Sequence, residues 1–200
     1  YEKIADYMHK VISSKLGNYM IFFPSYSLLK AVYEVVVARK DFKDIMVVCQ
    51  QSSMTEKDRE DFLAQFETVG DKSLAAFCVM GGIFSEGIDL TNDKLIGTVV
   101  VGTGLPQVCV ERDIIMNYFK EMGMNGFDYA YKYPGMNKVL QAAGRVIRTH
   151  EDTGIIALLD ERFASREYGA LFPREWNDLS CVTIKEASNK IDEFVERIYR

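Results

Sequence analysis

Short apolar runs alternate along the chain with longer segments whose apolar residues recur at helical spacing. We predict buried strands at residues 19–23, 45–49, 74–80, 95–101 and 154–160, because each run is short, apolar and bounded by polar or turn-forming residues. Apolar strands that alternate with helices predict a mostly parallel sheet covered by helices on both faces, a three-layer α/β fold. Such sheets bind ligands at the carboxyl ends of their strands, which singles out the loops after residues 23, 80, 101 and 160.

Helix start signals support this order of elements. They are a cap at Ser25, capping boxes at Thr55/Asp58 and Thr183/Glu186, and a first-turn proline at Pro106. A further helix is predicted over residues 137–147. Residues 120–135 match no regular pattern and are predicted to form an irregular insertion rich in aromatic side chains. The chain shows no repeat and no linker, so we interpret residues 1–200 as one domain.

Composition and charge narrow the class of protein. The 200 residues are 48% apolar and 26% charged, which is typical of a globular protein and excludes a disordered or collagen-like chain. A net charge of −5 argues against a purely electrostatic nucleic-acid binder, yet residues 129–150 hold four cations and no acidic residue. This basic stretch is a candidate anion site, and a solvated helix face is the alternative interpretation.

Cysteine usage and the chain start bear on location. The four cysteines stand apart without a C-x-x-C pair, which fits a reducing, cytoplasmic compartment. No apolar run reaches the length of a membrane span, and no signal-peptide pattern follows Tyr1. Because the chain does not begin with Met, we expect a piece of a longer protein, and signals outside it stay open.

Several catalytic motifs are incomplete. Residues 82–87 have the glycine spacing of a Walker A loop, but Ile88 and Asp89 stand where that loop needs Lys and a hydroxyl residue. Residues 102–107 lack the third glycine of a dinucleotide fingerprint, and no G-x-S-x-G elbow occurs. The Cys and His residues are dispersed, so no metal site is predicted. The chain therefore lacks complete phosphate, hydride or acyl-transfer machinery of its own.

The loop after the third predicted strand carries a first positive signal. Its glycines let the backbone approach a ligand closely, and it holds Ser85, Glu86 and Asp89. Asp89 could accept hydrogen bonds from a ribose hydroxyl or a water. The alternative is a plain turn whose aspartate caps the next element.

The predicted helix over residues 137–147 carries a second signal. Gln141, Arg145 and Arg148 are spaced to project from one helix face. Two guanidinium groups and an amide suit a phosphate clamp, although an exposed helix with two ordinary arginines is the alternative. Gly144 costs about 1 kcal/mol relative to Ala inside a helix, so a packing reason for it is expected.

Six short motifs follow one another along the chain. They are Phe22-Phe23-Pro24-Ser25-Tyr26, Ser85-Glu86-Gly87-Ile88-Asp89, Gly104-Leu105-Pro106, Gln141-x-x-Gly144-Arg145-x-Ile147-Arg148, Asp152-x-Gly154 and Leu159-Asp160-Glu161-Arg162-Phe163. In this order they resemble the XPD/DinG-type helicases of superfamily 2. The resemblance is to the second, C-terminal motor domain, which is RecA-like (P-loop NTPase-like), and it covers nearly the whole chain.

The resemblance implies a role for each matched residue. Arg145 and Arg148 would be arginine fingers for the γ-phosphate of ATP, and Gln141 would sense that phosphate. The implied nucleotide contacts are Glu86, Gly87, Asp89 and Gly144. The implied contacts to single-stranded DNA are Ser25, Tyr26, Ser85 and Lys138.

The resemblance also implies partners and cofactors. ATP and Mg would be bound mainly by an N-terminal motor domain that this chain lacks, so the isolated chain is expected to be inactive. An iron–sulphur cluster would likewise lie outside it. The implied setting is DNA repair in the bacterial cytosol or nucleoid, without a membrane.

Two functions of other classes stay open. One is a degenerate RecA-like module that binds single-stranded nucleic acid without motor activity. The other is a small-molecule hydrolase that uses Ser85. RNA in place of DNA is open too, because contacts to a phosphate backbone carry little information on identity.

Overall fold

The computed structural model describes residues 1–67, 70–84, 95–147, 152–176 and 178–198. The strands are β1 Asn18–Phe23, β2 Ile45–Cys49, β3 Ser73–Val79, β4 Gly97–Val101 and β5 Ile155–Leu159. The α-helices are α1 Glu2–Ser13, α2 Tyr26–Ala38, α3 Glu56–Ala64, α4 Val110–Glu121, α5 Tyr133–Ala143, α6 Arg166–Gly169 and α7 Ile184–Ile198. Short 3-10 helices span Lys40–Phe42 and Glu161–Ala164, and a π-helix spans Asp128–Lys132.

The five strands form one parallel sheet in the order β2-β3-β1-β4-β5. β1 lies at the centre, with Tyr19 opposite Ala75 of β3 on one side and Gly97 of β4 on the other. β1, β3 and β4 are buried along their whole length, which is why they read as continuous apolar runs in the sequence.

Alternate residues of β1 point to two separate cores. Met20 and Phe22 belong to a core that includes Phe62 of α3 and Val139 of α5. Tyr19, Ile21 and Phe23 belong to the other core, which is covered by α1, α2 and α7. Helices therefore cover both faces of the sheet, and the predicted three-layer α/β fold is confirmed.

The predicted start signals are confirmed where the sequence has capping residues. The Ser25 side chain accepts a hydrogen bond from the Leu28 amide at 3.2 Å. The Thr55/Asp58 box is closed in both directions, and the Thr183 amide donates to the Glu186 carboxylate at 2.8 Å. All five predicted strands are present, with β4 beginning two residues later than expected.

The predicted bounds of two helices are wrong. α4 begins at Val110 rather than at Pro106, because residues 102–109 form an extended loop that starts at two glycines of positive φ, Gly102 and Gly104. α5 spans Tyr133–Ala143 instead of 137–147, with Pro134 in its first turn and Gly144 just past its end.

The segment expected to be an irregular insertion is mostly helical. The π-helix runs directly into α5, and the aromatic side chains pair along it. Phe119 stacks on Tyr129 with ring centroids 3.9 Å apart, and Phe127 stacks on Tyr131 at 5.4 Å. In the described part of the chain, no helix is long and apolar enough to cross a membrane.

Candidate functional site

Three loops meet at the carboxyl edge of the sheet, the edge at which all five strands end. The loop after β1 holds Ser25, the turn after β3 holds Gly81 and Gly82, and the loop after β4 runs through Gly104. β1 pairs with both β3 and β4, so these three loops are neighbours. Of the predicted site residues, Ser25 and Tyr26 lie in or next to the loop after β1, at this edge.

Ser25 and Tyr26 stand at the start of α2, and both are half-buried. The Ser25 oxygen accepts the Leu28 amide as a helix cap, which leaves its O–H able to donate to a ligand. The Tyr26 hydroxyl is already engaged, because it accepts from Gln50 Nε2 at 2.9 Å and donates to the Gln51 carbonyl at 3.2 Å. A ligand at Tyr26 would therefore meet its ring rather than its hydroxyl.

Lys138 of α5 reaches over the turn after β3. A Cβ placed on Gly81 would lie 3.3 Å from Lys138 Cε, so the lysine stem covers this glycine closely. Gly81 also has a φ of +69°, a conformation that favours glycine. Lys138 thus lies at the same edge as Ser25 and Tyr26.

α5 runs from the carboxyl edge of the sheet to its amino edge. At its start, Gly135 touches the loop after β4, since a Cβ there would lie 2.6 Å from the Thr103 carbonyl. Beyond its end, Val146 packs on Gly154, the residue before β5, and a Cβ on Gly154 would lie 2.8 Å from the carbonyl of Ile96 before β4. Lys138 and Arg145 are seven residues apart, about 10 Å along a helix axis, and lie toward opposite edges.

Of the residues predicted to form a phosphate clamp, Gln141 lies in α5 and Arg145 lies beyond its end. Gln141 is exposed on α5, but the helix ends at Ala143 and Arg145 lies in the following turn. That turn tightens, with the Arg145 amide donating to the Ala142 carbonyl at 3.3 Å. Arg145 is half-buried, and its Nε is shielded from solvent. Gly144 is exposed and lies just past the end of α5, so the cost expected for a glycine inside a helix does not apply to it.

Five predicted site residues lie outside the described residues. They are Ser85, Glu86, Gly87, Asp89 and Arg148. The prediction that Gln141, Arg145 and Arg148 project from one helix face is wrong for Arg145, because α5 ends at Ala143 and Arg145 lies in the turn beyond it.

The basic stretch contains a buried lysine that does not face solvent. Lys132 is 4% exposed, and its ammonium pairs with Asp128 at 2.6 Å and with Glu167. Burial opposes its charge, but the hydrogen bonds that its ammonium donates to Asp128 and Glu167 outweigh that cost and raise the pKa of Lys132. The interpretation of this stretch as one anion site is therefore wrong for Lys132, whose charge is already matched within the protein.

The last matched motif has a structural role at the end of β5. The Asp160 carboxylate accepts from the Arg162 amide at 3.0 Å and pairs with the Arg162 guanidinium at 2.7 Å. The Arg162 hydrogen bond lowers the pKa of Asp160. This pair caps the 3-10 helix that follows the strand.

Sequence reasoning missed Gln50, which directly follows β2. Its side chain is 4% exposed and joins Tyr26 to β3, because its Oε1 accepts from the Val79 amide at 2.9 Å. The sequence contains a signal for it, because Gln50 directly follows a predicted strand, as do the loops after residues 23, 80, 101 and 160. Among the described residues, no group of His, Cys, Asp or Glu could hold a metal ion.

The comparisons with known proteins bear on this arrangement. A family model described as the helicase C-terminal domain matches residues 8–178. A probable ATP-dependent helicase of Methanocaldococcus jannaschii is 25% identical over 82% of this chain and 26% of its own length. The ATP-dependent DNA helicase DinG of Photobacterium profundum is 28% identical over 84% of this chain and 24% of its own.

Solved structures agree with the fold. An apo XPD structure superposes with a TM-score of 0.67 at 22% identity, covering 84% of this chain and 33% of that one. An XPD helicase structure gives 0.63 at 24% identity, covering 84% and 29%. The chain spans about a quarter of the length of the curated relatives it matches. It belongs to the helicase C-terminal domain family, and its fold matches that of a RecA-like domain of XPD.

Proposed function

We propose that this domain is the second motor of an ATP-dependent DNA helicase and that its two sheet edges serve different ligands. The nucleotide would bind toward the amino edge, and single-stranded DNA would bind at the carboxyl edge. The observation that carries the proposal is the course of α5, which places Lys138 at the carboxyl edge and Arg145 toward the amino edge. The family match supplies the reaction.

At the nucleotide end, Gln141 and Arg145 present groups that fit phosphate oxygens. A guanidinium and an amide N–H donate hydrogen bonds to anionic oxygens, and a guanidinium has no lone pair with which to bind Mg²⁺. Mg²⁺ and most of the ATP would therefore be held by the N-terminal motor domain. Arg145, with Arg148 by resemblance, would stabilise the charge that develops on the transferred phosphoryl group.

Other nucleotide contacts come to the proposal by resemblance alone. These are Gly144 and three residues of the segment that leads from the carboxyl end of β3 to the amino end of β4, namely Glu86, Gly87 and Asp89. Gly144 is exposed immediately before Arg145.

At the DNA end, Ser25, Lys138 and the ring of Tyr26 would contact the strand, together with Ser85 by resemblance. The Ser25 O–H and the Lys138 ammonium suit phosphates, while an aromatic ring suits a base, where stacking contributes about 1–3 kcal/mol. Contacts of this kind would not select a base sequence, because phosphate contacts and base stacking tolerate any sequence.

ATP hydrolysis would drive movement through unequal contacts. With ATP present, Arg145 would hold the two motor domains together, and without the γ-phosphate that contact would be lost. Repeated closing and opening would move the carboxyl edge along the strand. By resemblance we also propose a role in DNA repair inside the cytoplasm.

The test is ATP turnover by the full-length protein with and without single-stranded DNA. Arg145→Ala should lower DNA-stimulated turnover by about 10³-fold while ATP binding stays within about threefold, because a finger acts mainly on the transition state. Arg148→Ala should do the same. Arg59→Ala, an exposed arginine on α3, is the matched control and should leave turnover unchanged. Normal turnover in Arg145→Ala would refute the nucleotide half of the proposal.

A further inference from the structure

Gln50 joins two of the loops at the carboxyl edge. Its backbone amide continues the sheet by donating to the Phe77 carbonyl at 2.8 Å, which fixes the residue beside β3. Its side chain is buried and uses both ends of its amide. Oε1 accepts the Val79 amide at 2.9 Å, and Nε2 donates to the Tyr26 hydroxyl at 2.9 Å.

The turn after β3 is shaped around this side chain. A Cβ on Gly82 would lie 3.1 Å from Gln50 Nε2 and 3.0 Å from the Val79 carbonyl, so a side chain there would press on the glutamine amide. Lys138 covers the neighbouring Gly81 from α5. Gln50 thus lies against Gly82, and Lys138 lies against Gly81.

Hydrogen bonds of the Tyr26 hydroxyl fix the position of its ring. The hydroxyl sits between the Gln50 amide and the Gln51 carbonyl, so both residues after β2 hold the first residue of α2. Burial raises the pKa of the Tyr26 hydroxyl, with the Cys78 thiol as a second cause, so the group keeps the proton that it donates to Gln51. Such a hydrogen-bonded side chain holds one orientation of the ring.

We propose that Gln50 is a positioning residue that sets the distance between the two DNA-contacting loops, after β1 and after β3, by holding Tyr26. The inference rests on the proposed function, since it assigns the support for the DNA edge. Gln50 itself is too buried to reach a strand. Its effect on DNA contact would pass through the ring of Tyr26.

The experiment measures DNA-stimulated ATP turnover by the full-length protein as a function of single-stranded DNA concentration. Gln50→Leu keeps the size of the side chain and removes both hydrogen bonds, while Tyr26→Phe keeps the ring and removes only the hydroxyl. Each should raise the DNA concentration for half-maximal turnover by about three- to tenfold, the effect expected for loss of the Gln50–Tyr26 hydrogen bond that both variants remove. Turnover at saturating DNA should be retained.

The half-maximal DNA concentration of the double variant distinguishes a positioning role of Gln50 from a general structural role. If Gln50 acts through Tyr26, Gln50→Leu combined with Tyr26→Phe should match the single variants, because either change breaks the same link. Effects that multiply would overturn the proposal. Gln51→Leu is the matched control, since its exposed side chain bonds only the Cys49 carbonyl, and it should behave as wild type.

Three further outcomes also bear on whether Gln50 positions Tyr26. If Gln50→Leu fails to fold, Tyr26→Phe decides alone, and an unchanged half-maximal DNA concentration would overturn the proposal. If wild-type turnover does not respond to single-stranded DNA, the proposed function itself fails and this inference falls with it. A stimulated wild type with a normal Gln50→Leu overturns only the inference.

Discussion

Lys132 and Lys138 lie six residues apart on one continuous helical segment, yet their surroundings differ completely. Lys132 is 4% exposed and bonded to two carboxylates, and it joins the π-helix to α6. Lys138 is half-buried, and its stem lies over Gly81 at the carboxyl edge of the sheet. The same charge thus stabilises the fold at one position and is placed for a ligand at the other.

The difference shows what a charge count along a sequence can and cannot give. Residues 129–150 contain no acidic residue, so the sequence suggested four cations available to an anion. The partners of Lys132 lie outside residues 129–150. Asp128 is the residue just before that stretch, and Glu167 belongs to α6. Only the fold decides which cations remain for a ligand.

The largest effect expected from this comparison is on stability. Lys132→Met should lower the free energy of unfolding by about 3 kcal/mol, because it leaves Asp128 largely buried without its counter-charge. Lys138→Met should change it by less than about 0.5 kcal/mol. Chemical denaturation of the 200-residue chain measures both, and equal losses would contradict the distinction between the two lysines.

The pH dependence of that difference follows from the raised pKa of Lys132. A group whose pKa is raised by folding contributes stability that is fully present below its ordinary pKa, 10.5 for lysine, and that is lost as pH rises through the raised value. The gap between wild type and Lys132→Met should therefore be constant from neutral pH to about 10.5 and shrink above it. A gap that stays constant well above pH 10.5 would contradict a raised pKa of Lys132.

The second effect concerns the backbone contact that seats α5. Gly135→Ala should lower the free energy of unfolding by about 1–3 kcal/mol, because its Cβ would lie 2.6 Å from the Thr103 carbonyl and 3.1 Å from the Leu105 amide. Gly169→Ala is the control, since a Cβ at this residue of α6 meets nothing within 4 Å. Denaturation midpoints of the two variants give the comparison, and similar midpoints would mean that α5 can shift away from the loop without cost.

The sequence predicted the fold well because its signals are local. The strands are short apolar runs, and Ser25, Thr55 and Thr183 cap helices through contacts three residues away. α1 was missed although its buried residues Ala5, Met8 and Ile12 recur at helical spacing, so that signal was present and overlooked. The bounds of α4 were missed because the loop after β4 is held by a contact with Gly135, which is remote in sequence.

The candidate site was less predictable because its support is not local. The capping role of Ser25 could be read from its neighbours, but the partners of the Tyr26 hydroxyl come from the loop after β2, which is 24 residues away. The prediction that ligands gather at the carboxyl edge suits Ser25, Tyr26 and Lys138. It could not show that α5 carries Arg145 toward the opposite edge, since that depends on how the helix lies across the sheet.

The smallest expected effect tests the ligand side of the comparison. If Lys138 neutralises one phosphate, Lys138→Met should weaken single-stranded DNA binding at low salt and reduce the slope of log affinity against log salt by about 0.7. Lys57→Met, an exposed lysine on α3, should leave that slope unchanged. Fluorescence anisotropy of a labelled oligonucleotide with the full-length protein measures both slopes. A weaker affinity with an unchanged slope would mean that the Lys138 stem holds the Gly81 turn, while its ammonium makes no phosphate contact.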